Sequence, residues 1–175
     1  MGRYAGELLV VSTGHTVLTD LAAYKGSGQI IAIKEVGMTM FPCHHWFSCH
    51  NEFWPGWLAV RDQQARNLRS EVADIKPVLH CKQGGNQLPW PINGAWGQDS
   101  GLSAAILAVL LGYDRIILAG MPADGGGHYY PWMYRRANEH VQAYLPAWAR
   151  LYNEFFEGKV RSLSGNTRDI LGAPN

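Results

Sequence analysis

The sequence predicts an α/β fold of three layers, in which helices cover both faces of a mainly parallel sheet. Short runs that are apolar throughout alternate along the chain with longer amphipathic runs. Strands of that kind are typical of parallel sheets buried on both faces. No repeat, low-complexity tract or linker divides the 175 residues. We therefore predict a single domain over residues 1–175.

The first half of the chain predicts three strands and two helices. The apolar runs ELLVVS at 7–12 and QIIAIK at 29–34 have strand length. Between them, a helix over Val17–Lys25 has an aspartate in its first turn and ends at a Gly-Ser-Gly segment. The run HHWFSCH at 44–50 predicts a third strand, and the mixed-charge run at 56–72 predicts a second helix.

From residue 76 onward the chain predicts three more strands, at 76–81, 115–120 and 159–163. Residues 101–113 have the apolar spacing of a helix and a glycine stop. A long helix is predicted over Ala137–Phe156, with a kink at Pro146 because proline lacks the N–H that a helix interior needs. This order of elements predicts a Rossmann-like sheet.

Composition narrows the classes of partner and location. The formal net charge is +1 with intermixed signs, so the sequence predicts no nucleic-acid partner. No stretch approaches the ~18 apolar residues of a membrane span and no signal peptide is evident, which predicts a cytoplasmic protein without a membrane partner. The cysteines, Cys43, Cys49 and Cys81, are too few for a closed disulfide framework. A homo-oligomer remains compatible with the sequence.

Loops rich in functional residue types follow the predicted strands. In open sheets of this kind the ligand binds beyond the carboxyl ends of the strands. Five loops are expected at that edge: 12–16, 34–38, 49–54, 81–101 and 120–130. Several of the seven tryptophans lie in polar or Pro/Gly-rich surroundings, so we expect some of them to line a cleft.

The segment QDSG before the helix at 101–113 is the candidate anion site. Asp99 or Ser100 would cap the helix, and Gly101 would let a ligand approach the backbone, where N–H groups and the helix dipole favour an anion. The alternative is that Asp99 and Ser100 only cap the helix. The glycine patterns of dinucleotide-binding proteins and P-loops and the G-x-S-x-G pattern of serine hydrolases are absent.

The segment PCHHWFSCH is the candidate metal site. Strand alternation places His45, Phe47 and Cys49 on one face and their neighbours on the other, so the ligands cannot all converge. We predict that this segment holds no metal. His50 and Asn51, at the end of the strand, remain candidate ligand contacts.

Three histidines are candidates for a general base: His15, His128 and His140. The carboxylates Glu35 and Asp124 lie near the same predicted edge. His128 is favoured by its glycine-rich loop, whereas His140 lies in or just before the last long helix. Structural or exposed histidines are the alternative for each.

The segment DSGLSAAILAVLLGYDRIILAGMPAD, residues 99–124, resembles a segment of the bacterial sialyltransferases that use CMP-sialic acid. It is similar also to related small Rossmann-like proteins, many of them encoded by phages and prophages, and more distantly to archaeal hydroxymethylpterin diphosphokinases. The resemblance is moderately specific over residues 99–124, and the order of elements matches over nearly the whole chain.

The resemblance implies a role for several residues. Ser100 and Gly101 stand where the family holds the nucleotide, and the segment with Thr13, Gly14 and His15 stands where the family has a Gly-Pro-Ser turn. Lys34 stands where the family has an asparagine and could meet a phosphate.

The resemblance also implies catalytic residues. His140 has the position of the family's histidine base, while His128 has the favoured loop. Tyr129 and Tyr130 are suggested as the tyrosines that bind the phosphate and help the nucleotide to leave.

The function expected from these features is the binding of a nucleotide-activated donor, of CMP type in the resembling family, and transfer of a glycosyl group. No cofactor is certain from the sequence, and the small-molecule nucleotide is the expected partner. The alternatives are a non-catalytic nucleotide-binding module of the phage type and an ATP-dependent diphosphotransferase.

Overall fold

A parallel six-stranded sheet organises the chain. The computed structural model describes residues 6–68, 71, 75–81, 99–129, 142–156 and 158–175. The strands are β1 (Glu7–Val11), β2 (Gln29–Ile33), β3 (His45–Ser48), β4 (Val78–Cys81), β5 (Arg115–Ala119) and β6 (Val160–Ser162). Their order across the sheet is β4-β3-β2-β1-β5-β6, and every neighbouring pair is parallel. The strand order reverses between β1 and β5, which is where such sheets open a ligand crevice.

Five α-helices accompany the sheet in the described part of the chain. They are α1 (Val17–Ala23), α2 (Trp54–Leu68), α3 (Ser100–Leu111), α4 (Leu145–Leu151) and α5 (Gly165–Leu171). Short 3-10 helices cover Lys34–Met38 and Asn51–Phe53, and a π-helical segment covers Tyr152–Phe156. The predicted glycine stop is confirmed, since Gly112 ends α3 in the left-handed conformation with φ 96°.

Two apolar cores lie on opposite faces of the sheet, because successive strand residues point to opposite sides. Leu8 and Val10 of β1 pack with α3 and with Trp148 of α4. Leu9 and Val11 pack with the residues of α1 and α2 on the other face. The predicted three-layer, Rossmann-like α/β fold is therefore confirmed.

Some predicted element bounds differ from those of the structure. Leu145 begins α4, so Pro146 lies in the first helical turn, where its missing N–H costs nothing, instead of kinking a longer helix. The earlier part of that predicted helix, residues 137–141, lies outside the described residues. Lys34 begins a 3-10 helix instead of ending β2. Helix α5 was not predicted from the sequence.

The tryptophans before and within α2 belong to the core and not to a cleft. Trp46, Trp54 and Trp57 are at most 9% exposed and pack together, with ring centroids 5.0 to 6.2 Å apart. Burying three large rings on one sheet face outweighs the polar character of their sequence neighbours. Trp90, Trp96 and Trp132 lie outside the described residues.

Candidate functional site

A cleft of about 520 Å³ opens at the carboxyl edge of the sheet, between the ends of β1 and β5. This volume is within the range of small-molecule sites. Its walls come from the loop after β1, the end of β2, the start of α3, the glycine-rich loop after β5 and the start of α4. The cleft thus lies where the strand order reverses, as the sequence analysis expected of the ligand site.

The loops after β1 and β5 are joined to each other by backbone hydrogen bonds. Gly14 forms an isolated antiparallel bridge with His128. The Tyr129 N–H donates to the Thr13 carbonyl at 2.6 Å, and the Gly14 N–H donates to the Gly120 carbonyl at 2.8 Å. These bonds make the two loops one continuous wall of the cleft.

Gly14 lies too close to the opposite loop for any side chain. A Cβ at this position would be 2.4 Å from the Gly120 carbonyl oxygen and 2.6 Å from Pro122 Cδ. The oxygen belongs to the backbone and cannot rotate away. The Gly14 identified from sequence as part of a binding turn is therefore a requirement of the loop junction.

Asp20 of α1 holds the junction between the loops after β1 and β5 by hydrogen bonds. Its side chain is 3% exposed, and its Oδ2 atom accepts hydrogen bonds from Gly120 N at 2.8 Å, Ser164 Oγ at 2.7 Å and Thr16 Oγ1 at 3.0 Å. These donors come from three separate parts of the chain. From the sequence, Asp20 was predicted only as an acidic residue in the first turn of a helix.

The short helix α5 supports the glycine-rich loop. Thr167 Oγ1 donates to the Met121 carbonyl at 2.6 Å, and Asn166 Nδ2 donates to the Ala123 carbonyl at 2.9 Å. Thr167 also lines the cleft. Polar side chains of α5 therefore hold this part of the cleft wall.

The start of α3 carries the residues that the sequence proposed for an anion. Asp99 is the N-cap, and its Oδ1 atom accepts from Gly101 N at 2.8 Å. Ser100 lines the cleft and is 6% exposed, and its Oγ has no hydrogen-bond partner among the described residues. A buried hydroxyl without a partner costs free energy, so Ser100 is suited to a ligand group that would satisfy it.

Asp99 is held on both carboxylate oxygens. Trp148 Nε1 donates to Oδ2 at 3.1 Å while Gly101 holds Oδ1. Burial raises the pKa of Asp99, and its hydrogen bonds and the charge of Lys34 oppose that rise. Asp99 and Trp148 line the cleft together with Tyr144. Burial and the charge of Asp99 raise the pKa of Tyr144. Tyr144 and Trp148 had no role in the sequence analysis.

Lys34 lines the cleft in a conformation that favours glycine or asparagine. Its φ is 50°, in the left-handed region, and its carbonyl accepts from Trp46 Nε1 at 2.6 Å. A non-glycine residue held there stores strain, a feature that clusters at functional sites. The charge of Lys34 acts on both Asp99 and His128, so Lys34 is the lysine or arginine of the cleft wall among the described residues.

His128 lies inside the loop junction. Its Nδ1 atom is 2.7 Å from Thr13 Oγ1, and it lines the cleft. Burial, followed by the positive charge of Lys34, lowers the pKa of His128, whereas the buried carboxylate of Glu35 acts in the opposite direction. The imidazole is therefore neutral near pH 7, the state that a general base needs.

The remaining candidates on these loops lie at the rim. His15 Nε2 and Asp124 Oδ2 are 3.6 Å apart, and both side chains are more than a third exposed. Asp124 Oδ1 also accepts from Gly126 N at 2.9 Å and so shapes the glycine-rich turn. Tyr129 is 40% exposed. The structure therefore brings Asp124 to the cleft and leaves the His15 side chain at its edge.

The candidates after β3 lie apart from these residues. His50 pairs with Glu52 at 3.2 Å, and both are about half exposed. Asn51 begins a short 3-10 helix. Of the proposed catalytic residues, His140 and Tyr130 lie outside the described residues.

The strand residues of the Cys/His segment 43–50 divide between the two cores as alternation predicts, with Phe47 in one core and Trp46 in the other, whereas Cys43 lies before the strand. His45 is 2% exposed on one face, and Cys43 is completely buried on the other. Burial raises the pKa of the Cys43 thiol to about 11. No group of three His, Cys, Asp or Glu side chains converges to hold a metal ion in the described part of the chain.

The comparisons with known proteins give a fold relationship. No protein-family model matches the chain, and no curated protein matches it in sequence. Among solved structures it is similar to the sialyltransferase CstII from Campylobacter jejuni, determined in complex with a substrate analogue, cytidine-5'-monophosphate. The TM-score is 0.67 at 10% sequence identity, covering 97% of this chain and 85% of that chain.

Fold and cleft together define a Rossmann-like α/β protein with a small-molecule-sized site at the reversal of strand order. Its fold is shared with a sialyltransferase, at an identity that shows only a distant fold relationship. No helix among the described residues is long and apolar enough to cross a membrane.

Proposed function

We propose that the cleft binds a nucleotide-activated donor, of the CMP type, and that the protein transfers a glycosyl group from it. The single observation that carries the proposal is Ser100, whose buried hydroxyl lines the cleft at the start of α3 and has no partner in the part of the chain that the structure describes. The fold shared with a sialyltransferase studied with a cytidine nucleotide supports the choice of ligand.

The charges of the cleft suit a phosphate on one side. Lys34 supplies a positive charge, and it is held there in a strained backbone conformation. The close backbone approach at Gly14 and Gly120 gives the loop wall a smooth surface for a flat or extended ligand. These features support binding of a nucleotide phosphate between Lys34 and the loop after β1.

The transfer step requires a base for the acceptor hydroxyl. A neutral imidazole takes the hydroxyl proton while the acceptor oxygen bonds to the sugar and the bond from the sugar to the phosphate oxygen breaks. We assign the base to His128 or His140, and assistance to the departing phosphate to Tyr129 or Tyr130. His128 has the lowered pKa that keeps it neutral at physiological pH.

A non-catalytic nucleotide-binding protein is the second candidate. This candidate is favoured by the contact of His128 Nδ1 with Thr13 Oγ1, because a histidine that holds the loop junction together has a structural role without acting as a base. Slow hydrolysis of the donor without an acceptor distinguishes the two, since only a transferase activates the bond to phosphate.

Ser100→Ala is expected to weaken CMP binding about five- to tenfold, the worth of one hydrogen bond, without lowering the free energy of unfolding. Removing a hydroxyl that has no partner among the described residues of the ligand-free protein leaves none of their polar groups unsatisfied. Titration calorimetry with CMP and thermal unfolding measure the two quantities.

Ser103→Ala is the matched control for Ser100→Ala. Ser103 Oγ is also buried and without a partner among the described residues, but Ser103 is absent from the cleft wall. Its substitution should leave CMP affinity unchanged. Equal affinities in both variants and the wild type would remove Ser100 from the proposed site, and no CMP binding by the wild type would reject the proposed ligand.

Two replacements of Lys34 separate the effect of its side-chain charge on CMP binding from the effect of its left-handed backbone conformation on stability. Lys34→Asn is expected to raise the free energy of unfolding by about 1 kcal/mol, because asparagine tolerates the left-handed conformation, and to weaken CMP binding. Lys34→Met keeps the strain and removes the charge, so it should weaken binding without stabilising. Urea unfolding and CMP titration test both, and undiminished CMP affinity in the two variants would contradict the assignment of phosphate to Lys34.

A further inference from the structure

The end of the cleft at α3 carries an internal carboxylate. Asp99, Ser100 and Tyr144 line this end, and Trp148 lies beneath Asp99 as its hydrogen-bond donor. Asp99 is the N-cap of α3, a helix of 12 residues. The positive end of the helix dipole is thus already matched by an acidic group of the protein itself.

The backbone donor that an anion would use is engaged. Gly101 N donates to Asp99 Oδ1 at 2.8 Å, so an incoming anion would compete with a carboxylate that cannot leave. What this end still offers is the Ser100 hydroxyl, the remaining lone pairs of Asp99 and the Tyr144 phenol. A carboxylate only accepts hydrogen bonds, whereas hydroxyls both donate and accept.

The positive charge of Lys34 comes from a different element of the cleft wall. Lys34 follows β2, and its charge reaches both Asp99 and His128. With Asp99 facing it, Lys34 has one opposing charge already and can accommodate one phosphate. Among the described residues of the cleft wall, a second anionic group on the ligand would find Asp99 and Asp124 as the further carboxylates.

We infer that the cleft takes a donor whose transferable group is an uncharged polyhydroxylated sugar, bound by hydroxyl groups at Asp99 and Tyr144 while Ser100 bonds to the CMP part and the phosphate meets Lys34. This inference rests on the proposed nucleotide-binding function and adds the chemical class of the sugar. Sugars that carry a carboxylate are excluded by repulsion from Asp99.

The exclusion concerns an ionised Asp99. Burial raises the pKa of Asp99, whereas the hydrogen bonds from Gly101 N and Trp148 Nε1 and the charge of Lys34 favour its ionised form. A ligand carboxylate beside the ionised group meets a like charge at short range. Ligand hydroxyls do not, since they donate to an ionised carboxylate.

The test compares two ligands that differ in a single charge, CMP-sialic acid and its carboxyl methyl ester. Each is added at low temperature to protein that carries bound CMP, and the displacement of CMP gives its affinity. The wild type is expected to bind the ester at least tenfold more tightly than the acid. In Asp99→Asn, which keeps an oxygen to cap α3, the preference for the ester should fall to about threefold or less. Asp99→Ser, another capping residue, repeats the comparison if the first variant folds poorly.

Each other outcome overturns the inference. Wild-type protein that binds the acid as tightly as the ester, or variants that keep the full preference for the ester, show that Asp99 does not select against charge. CMP that binds while neither sugar form displaces it shows that no sugar occupies this end. Failure of CMP itself to bind rejects the proposed function, so the two failures are distinguishable.

Discussion

Asp20→Ala is expected to lower the free energy of unfolding by about 2 to 4 kcal/mol and to abolish binding in the cleft. The substitution leaves the buried Gly120 N–H without its acceptor and removes the acceptor shared by Thr16 and Ser164, which then keep only each other at 2.8 Å. Each buried donor without a partner costs about 1 to 3 kcal/mol. Because Gly120 also accepts from Gly14 N, the loop junction that walls the cleft loses its support.

Urea unfolding and CMP titration measure the two effects of Asp20→Ala. Asp62→Ala, in an exposed position of α2, is the matched control and is expected to change stability by less than about 0.5 kcal/mol. Asp20→Asn should fall between, because its one oxygen can keep the bond from Gly120. Unfolding curves for Asp20→Ala and Asp62→Ala that coincide would show that Asp20 does not support the junction.

Acidification from pH 6.5 to pH 4 is expected to destabilise the protein by several kcal/mol through two buried histidines. His45 and His80 are at most 5% exposed, and burial lowers the pKa of each from 6.5 to about 4. Between these values the unfolded chain binds protons that the folded chain does not, so stability is complete above pH 6.5 and falls as the pH decreases. A shift of this size is worth roughly 3 kcal/mol for one group, and less than twice that for an interacting pair.

The hydrogen-bond chain around these histidines explains why protonation is costly. His80 Nε2 and His45 Nδ1 are 3.0 Å apart, and so are His45 Nε2 and Tyr113 Oη. Tyr113 in turn donates to Gln29 Oε1. Because Tyr113 donates onward, His45 donates to it through Nε2 and accepts from His80 through Nδ1. A proton on His45 Nδ1 removes that acceptor and charges a buried ring.

Chemical unfolding at a series of pH values measures this effect. His44 and His128, whose pKa values are also lowered by burial, act in the same direction. His80→Gln removes one titrating ring and should flatten the profile between pH 4 and pH 6.5, whereas His50→Gln, at an exposed position, should leave it as in the wild type. A wild-type stability independent of pH across this range would contradict the depressed pKa values.

The positions of the strands could be predicted from the sequence because they depend on local pattern. β1 and β5 each carry four consecutive apolar, buried residues after a charged first residue, a pattern typical of a strand buried on both faces. The start and stop of α3 follow from the cap at Asp99 and the glycine at 112, which act within one turn. The carboxyl edge of the sheet as the place of the cleft follows from the same fold class.

Shorter and less regular elements could not be predicted in this way. The seven residues of α5 carry no apolar stripe, and the helix is held by bonds such as those from Thr167 and Asn166 to the loop after β5. The tryptophans of α2 have polar neighbours in sequence, yet they pack on Trp46 because the sheet brings that ring beneath them. Packing between distant segments decided both.

The sequence by itself determined the fold class and named Ser100, Gly101, Lys34 and His128 as candidates at one sheet edge. Only the tertiary structure decided that Asp20 joins residues up to 144 positions away, and that Ser100 keeps a buried hydroxyl without a partner among the described residues. The physical reason is that caps, turns and periodicity act over a few residues, whereas burial and hydrogen-bond partners are set by which strands become neighbours. Strand order placed the loops after β1 and β5 side by side, and that contact made the cleft.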